Sequence, residues 1–414
     1  MSTPQELEET NPAPLPSIIL ILREVEDPRV ERTRKHHLSD ILFISLCAVI
    51  CGCESFEDME EFGNAKEEWF RQYLDLPNAI PSHDTFNRVY QLLNPLVFQD
   101  CLIRWTQGVR EKIPGEIVAL DGKAQRRARN KNENLHYIVN AWAGENRLLL
   151  GQYKVGEKSN EITAIPELLR ILELSGCIIT CDAMGCQKNI AKEIKEADAD
   201  YVLALKGNHE TAHGEISTYL RDLVVEKEMP REPGAAPAHE DARLLQSHSE
   251  VEKDHGRTTT RHYHQSDRID WFEEKAEWEG LKSVGMVQTI TEQNGKTTEE
   301  ERHYLCSIGL DVKLFAKAVR GHWGVENCCH WVLDVIFKED ESRARSGHAA
   351  QNLGTTRGIA MNLVRRESTN RRGIKGRVKR AGWDKNTSRR SSQNKMRLPC
   401  SRNQLPFPRG QRTH

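Results

Sequence analysis

The chain has 414 residues, 38% of them hydrophobic and 29% charged, with a formal net charge of -2. That length exceeds one ordinary compact core and points to two or three domains of a globular protein. The most apolar stretch, Ile41 to Cys53, falls short of the roughly 18 to 20 residues of a bilayer span. Met1 to Pro16 is acidic and Pro-rich rather than basic and then apolar, so a secretory signal is not expected and the cytoplasm is the expected compartment.

Residues 1–16 read as a flexible leader. Residues 17–112 read as a helical N-terminal DNA-contacting module, with Leu38–Cys53, Phe56–Leu74 and Thr85–Leu93 as its clearest helices. Ser82 or Asp84 after Pro81 is a suitable N-cap for the last of these. A short polar helix after a turn resembles the second half of a helix-turn-helix, although such pairs more often pack ordinary bundles.

After Pro114-Gly115 the pattern changes to strands. Glu116–Leu120 ends at Asp121, and His136–Ala143 and Leu148–Val155 complete a three-strand meander. Helical spacing over Ile162–Leu174, a buried strand Cys177–Cys181 ending at Asp182, a helix Asn189–Ala197 and a strand Tyr201–Leu205 follow. The order βββαβαβ describes an α/β fold with a mixed sheet of the ribonuclease H kind. The more polar stretch at about 209–312 reads as a β-rich insertion rather than as more of the same sheet. Lys313–Phe337 returns to long helical spacing, closing a domain of residues 113–364.

The 11 Cys form no Cys-x-x-Cys pairs and are expected as reduced thiols. Cys177, Cys181 and Cys186 lie in and after a buried strand, where Cys serves as a small hydrophobe more readily than as a zinc ligand. From Arg365 to His414, 16 Lys/Arg face only Glu367 and Asp384. Residues 365–414 are therefore expected to be a basic, disordered tail, a composition that equally suits contact with phosphates.

Asp121 and Asp182 occupy equivalent positions at the ends of two predicted strands, at the edge where open sheets bind ligands. Neighbouring strands would bring the two carboxylates close, which requires either a proton or a divalent cation between them. The alternative is that each simply forms a turn. On the later helix, Val319, Trp323, Glu326, Cys329, Leu333 and Ile336 form one face, with Glu326 amid apolar neighbours. A carboxylate there is costly without a cation or strong donors, so Glu326 is a candidate ligand, the alternative being an ion pair with Arg320 or His330. Asp334, Glu339 and Asp340 are rotated away or lie too far along an ideal helix to join it.

These blocks carry a resemblance. Leu120-Asp121-Gly122-Lys123, Lys158-Ser159-Asn160-Glu161-Ile162, Cys181-Asp182-Ala183-Met184, Leu205-Lys206-Gly207-Asn208 and His322-Trp323-Gly324-Val325-Glu326-Asn327 through His330-Trp331-Val332-Leu333-Asp334-Val335 closely resemble the H-repeat-associated transposases of bacterial insertion sequences. Those proteins belong to the DDE transposases, with a ribonuclease H-like core. The resemblance runs from about Pro28 to Asp384. It implies that Asp121, Asp182 and Glu326 are the catalytic triad and hold two Mg²⁺ ions, with Mn²⁺ as a substitute. It further implies hydrolysis at element ends, strand transfer into double-stranded target DNA, and a homodimer that synapses two ends.

Lys123 and Lys206 follow strand ends and are candidate phosphate contacts, as are Lys158 and Asn160 in the loop before a helix, and His322 one turn before Glu326. Trp323 and Trp331 read as core residues rather than stacking platforms. Two departures from the family pattern stand out. Val319 and Leu333 occupy the outer positions of the wider group's Tyr-Arg-Glu-Lys signature, and Thr387–His414 lacks the expected apolar helix, as a frameshifted read-through would. The alternatives are therefore a degenerate or domesticated DNA-binding remnant, or a related nuclease without strand transfer.

Overall fold

Among the described residues six α-helices precede the first strand: α1 (Ser17–Leu22), α2 (Leu38–Ile50), α3 (Phe56–Ala65), α4 (Glu67–Phe70), α5 (His83–Leu92) and α6 (Pro95–Val109). The computed structural model describes residues 17–125, 127, 136–155, 161–229, 244–254, 256–369 and 371–383. α2 is apolar on all sides and is accordingly enclosed, with every residue from Asp40 to Ile50 buried. The others start on local signals: a reciprocal capping box between Ser55 and Asp58 for α3, and Asn94 capping Leu96 N with Pro95 in the first turn for α6. The α5 start falls after Ser82 as expected, but the Ser82 hydroxyl contacts Thr85 Oγ1 rather than a backbone N–H.

The sheet has nine strands: β1 (Ile117–Gln125), β2 (His136–Ala143), β3 (Leu148–Lys154), β4 (Ile178–Cys181), β5 (Asp200–Leu205), β6 (Gln246–Asp254), β7 (Arg257–Ser266), β8 (Ser283–Gln293) and β9 (Lys296–Cys306). Their spatial order is β3-β2-β1-β4-β5-β9-β8-β7-β6, parallel only at β1/β4 and β4/β5. α7 (Glu161–Ile171) and α8 (Lys188–Glu196) connect the central strands, and α9 (Glu210–Glu228) follows β5. The first half of this order matches the expected βββαβαβ. The reading of 209–312 as something other than a continuation of the sheet is corrected: β9 pairs with β5 and carries β8, β7 and β6 outward in the same sheet. The β8/β9 hairpin turns at Asn294 and Gly295, both at positive φ, as a tight primed turn requires.

α10 (Val312–Gly324) begins at Asp311, whose carboxylate accepts from Lys313 N and Leu314 N. It runs into a π-helical segment, Val325–His330, and then α11 (Trp331–Val335), so the expected long helix is present but not uniform. α12 (Ala349–Arg366) is buried along nearly its whole length. Its polar residues are spent on neighbours: Asn352 donates to Tyr90 O and Leu93 O, and Asn362 bonds both backbone groups of Leu149. One apolar cluster consequently runs from the N-terminal helices through Trp142 and Leu149 to α12.

The tail expectation needs correcting in its first part. α13 (Ile374–Trp383) follows Arg366 closely and buries Val378 and Ala381, with Gly52 against Val378. Thr387–His414 lies outside the described residues, as does the leader at 1–16. No helix among the described residues is long and apolar enough to cross a membrane.

Candidate active site

β1 pairs in parallel with β4 only as far as Leu120 opposite Cys181, so Asp121 and Asp182 are the next residues of the two chains beyond the shared segment. Asp121 does not end β1, as expected from sequence. The strand continues to Gln125 because β2 goes on pairing with it, Asp121 opposite Asn140 and Lys123 opposite Ile138. Asp182 does follow the end of β4; its Oδ1 accepts from Met184 N at 3.0 Å and Gly185 N at 3.2 Å, which fixes the turn into α8.

Glu326 comes from the π-helical segment between α10 and α11. The wider turn of a π-helix breaks the ideal helical spacing, and such turns concentrate at functional sites. The expected single apolar stripe is accordingly only partly realised. Val319, Cys329 and Leu333 are buried, but Glu326 is exposed and Trp323 and Trp331 are 44% and 53% exposed. The two tryptophans are thus surface residues, not core, and Arg302 lies over the Trp323 ring at 5.0 Å.

A cavity of about 200 Å³ collects these groups, lined by Asp121, Asp182, Lys206, His322, Trp323 and Glu326 among others. Asp121, Glu326 and His330 each present a ligand atom within 4.8 Å of one another. Burial, and then the negative charges of Glu326, Asp182 and Glu161, push the Asp121 carboxyl up to about 7. Among the described residues no Lys or Arg pairs with Asp121, Asp182 or Glu326. Arg320, one sequence candidate for pairing with Glu326, instead reaches Glu252 at 3.2 Å.

His330, the other candidate, faces Asp121. Gln152 Nε2 donates to Asn140 Oδ1, which leaves Asn140 Nδ2 to donate to His330 Nε2 at 3.0 Å. Burial pushes the His330 ring down to about 4, so it is neutral, and with Nε2 accepting, its proton is on Nδ1. That atom lies 3.6 Å from Asp121 Oδ2. In this tautomer the ring offers Asp121 a proton rather than a metal a lone pair.

His322 Nδ1 lies 3.0 Å from Thr180 Oγ1, and burial holds the ring below the usual histidine range. Lys206 is exposed at the cavity rim. Lys123 is elsewhere. Its ammonium is buried, 2.6 Å from both Asp334 and Glu339 and 3.5 Å from Asp340, so it is turned inward rather than toward a phosphate. Lys158 and Asn160 lie outside the described residues. Cys177, Cys181 and Cys186 are free and buried.

Sequence reading did not single out His330 or Glu161 as contributors to the site. The repeated His-Trp pair at 322–323 and 330–331 was a usable signal for His330, since the two histidines face the sheet from the end of α10 and from the π-turn, His322 toward Thr180 of β4 and His330 toward Asp121 of β1 and Asn140 of β2.

Comparison with known proteins identifies the family. Residues 112–363 match the family model described as "Transposase DDE domain", and residues 19–106 match the one described as "DDE_Tnp_1-associated". YncI of Escherichia coli O157:H7, provisionally named a transposase, is 38% identical over 370 residues, spanning 88% of this chain and 90% of its own length. YhhI of E. coli K12, provisionally named an H repeat-associated transposase, is 37% identical over 85% of this chain and 91% of its own. An uncharacterised protein of Xanthobacter autotrophicus is 43% identical over 69% and 93% of the two chains. With three separated acids of β1, the β4 end and the later helix meeting inside the matched region, the chain belongs to the H-repeat-associated DDE transposase family of insertion sequences.

Proposed function

We propose that this chain is a metal-dependent DNA transposase with a ribonuclease H-like core, cutting phosphodiesters at the ends of its element and joining the freed ends to target DNA. The observation that carries this reading is the convergence of Asp121, Asp182 and Glu326 on one cavity with no basic partner among the described residues. A charge arrangement of this kind is unfavourable by itself and suits a hard divalent cation, Mg²⁺ or Mn²⁺, with all three carboxylates as oxygen donors. Asp121, Asp182 and Glu326 would hold two ions, whose chemistry would be Lewis-acid activation of the attacking oxygen and charge neutralisation at the leaving oxygen.

The remaining groups have supporting roles. His330, its ring fixed by Asn140 and Gln152, turns Nδ1 toward Asp121 at 3.6 Å. Lys206 and His322 line the cavity, where Lys206 would meet the phosphate backbone by charge and His322 by a hydrogen bond. Water, and later a 3′-hydroxyl, would occupy the same position in line with the departing oxygen, so one site serves both cutting and joining. Because two element ends must be held together, the working form is taken as a homodimer.

The test is a nicking and joining assay on DNA carrying the element ends, with Mg²⁺, comparing wild type with Asp182→Asn. Cleavage by the wild type alone, followed by joined products, supports the proposal. Equal cleavage by both proteins, or none by either, removes it, and cleavage without joined products leaves a nuclease.

A further inference from the structure

The triad reaches the cavity from one face of the sheet. Side chains alternate along a strand, so Asp121 and Lys123 share the face that meets the Glu326 helix, and Gly122 faces the other way. On that side Val118 and Leu120 pack with Ala164, Ile165 and Leu168 of α7. Gly122 is an ordinary extended residue opposite Val139, not one of the glycines at positive φ. What the missing side chain provides is therefore room, and the room is filled by a carboxylate. A β-carbon on Gly122 would fall 1.9 Å from Glu161 Oε1 and 2.4 Å from its Cδ.

Glu161 is the first residue of α7 and is half-buried. Among the described residues it has no Lys, Arg or His partner, while Asp182 and Asp121 are near enough for mutual repulsion. An acid in the first turn of a helix gains about 0.3–1 kcal/mol from the helix dipole. That effect operates equally well in solvent. It does not explain a carboxylate laid on the backbone beside Asp121 and left among other acids.

Resting on the metal-dependent reading above, we propose that Glu161 is a fourth carboxylate of the site, reaching the divalent cations from the opposite face of the sheet past the end of β4. The short β4 makes this possible, because beyond Leu120 β1 has no neighbour on that side to separate the two faces. Gly122 is then part of the site, as the position whose lack of a side chain admits Glu161.

The experiment is Mn²⁺ titration of the full chain without DNA, read by the electron paramagnetic resonance of free Mn²⁺, beside metal-free thermal unfolding. Wild type, Glu161→Gln, Gly122→Ala and Asp182→Asn are compared. The expected result is wild-type uptake, with Glu161→Gln weakened by at least about tenfold or reduced by one ion. Gly122→Ala should share that defect, since the new methyl displaces the carboxylate while leaving its charge in the chain. Wild-type stoichiometry and affinity in both Glu161→Gln and Gly122→Ala overturn the inference while leaving the triad reading intact. A metal-free midpoint lowered by several degrees in Glu161→Gln overturns it too, because neutralising a carboxylate held amid repulsion should not destabilise the fold. Absence of Mn²⁺ uptake by the wild type itself would instead remove the metal-dependent reading, and this inference with it.

Discussion

Two acidic clusters lie two residues apart on the same strand and draw on the same helix, and they resolve their repulsion in opposite ways. Around Lys123, the carboxylates of Asp334, Glu339 and Asp340 surround a buried ammonium, and Gln125 Nε2 donates to Glu339 Oε1. Around Asp121, the carboxylates of Asp182, Glu326 and Glu161 have no basic partner among the described residues, and the Asp121 proton is held up to about 7. The first cluster is complete as folded and joins β1 to the helix. The second lacks a cation of its own. Residue type is similar in the two, and the Lys123 cluster is the more buried, with Lys123 and Glu339 enclosed while Glu326 is exposed; what distinguishes a structural cluster from a reactive one here is whether the chain supplies the counter-charge.

The largest effect expected from breaking this contrast is on chemistry. Asp182→Asn should reduce metal-dependent strand cleavage by at least about a thousandfold, or about 4 kcal/mol of barrier, with the fold unchanged by circular dichroism. Retention of even a tenth of wild-type cleavage would count against Asp182 as a ligand. Next comes the other cluster. Lys123→Met leaves Glu339 and Asp334 with unpaired charge and should cost about 3–5 kcal/mol in urea unfolding, most of it recovered in the double variant with Glu339→Met. A Lys123→Met protein as stable as wild type would mean that the two clusters do not differ as described.

Much of this arrangement was legible in the sequence. The alternation of short apolar strands with amphipathic helices from Ile117 to Leu205 showed the element order βββαβαβ, and Asp121 and Asp182 stood out as the residues just after two apolar runs, although β1 itself continues to Gln125. What was not legible depended on distance or on exceptions to periodicity. Lys123 looked like a phosphate contact because its partner Glu339 is 216 residues away. The 100° rule put Glu326 in a buried apolar stripe that the π-turn interrupts, since helical period says nothing of a hydrogen-bond slip; Asp334, set aside by the same rule, is turned to Lys123 rather than to Asp121. β6 and the ends of β8 and β9 are exposed, so they lack the apolar alternation that marks a half-buried strand, although Asn294-Gly295 was a usable hairpin signal. α13 was masked by its basic composition, since only Val378 and Ala381 of its ten residues are buried.

The proton at Asp121 sharpens the comparison further. The folded carboxyl, at about 7, lies above the unfolded value near 3.9. The native state therefore holds the proton more tightly, and this contribution to stability is full below the unfolded value and is lost as pH rises through about 7. In metal-free protein, Asp121→Asn should gain on wild type as pH rises from about 4 to 7, by at most about 4 kcal/mol. Buried His264 and His303, each pushed down to about 4, act in the opposite direction over this range, so the difference between the two proteins is the quantity to measure. A constant difference across that range would mean that Asp121 is not raised.

Adding a divalent cation should reduce the contrast, and it is the smallest effect. A ligand at ten times its dissociation constant stabilises the native state by RT ln 11, about 1.4 kcal/mol. Mg²⁺ or Mn²⁺ should raise the unfolding midpoint of the wild type accordingly, chelation should reverse it, and Asp121→Asn should respond little. The pH trend should also invert, because ions compete with the proton at Asp121 and bind better as pH rises toward 7. Lys123→Met provides the control, since its lesion lies in the cluster that carries its own counter-charge: if it folds, its metal response should match that of the wild type. Equal stabilisation of wild type and Asp121→Asn would place the ions elsewhere on this acidic surface, and the unpaired carboxylates would then need a different explanation.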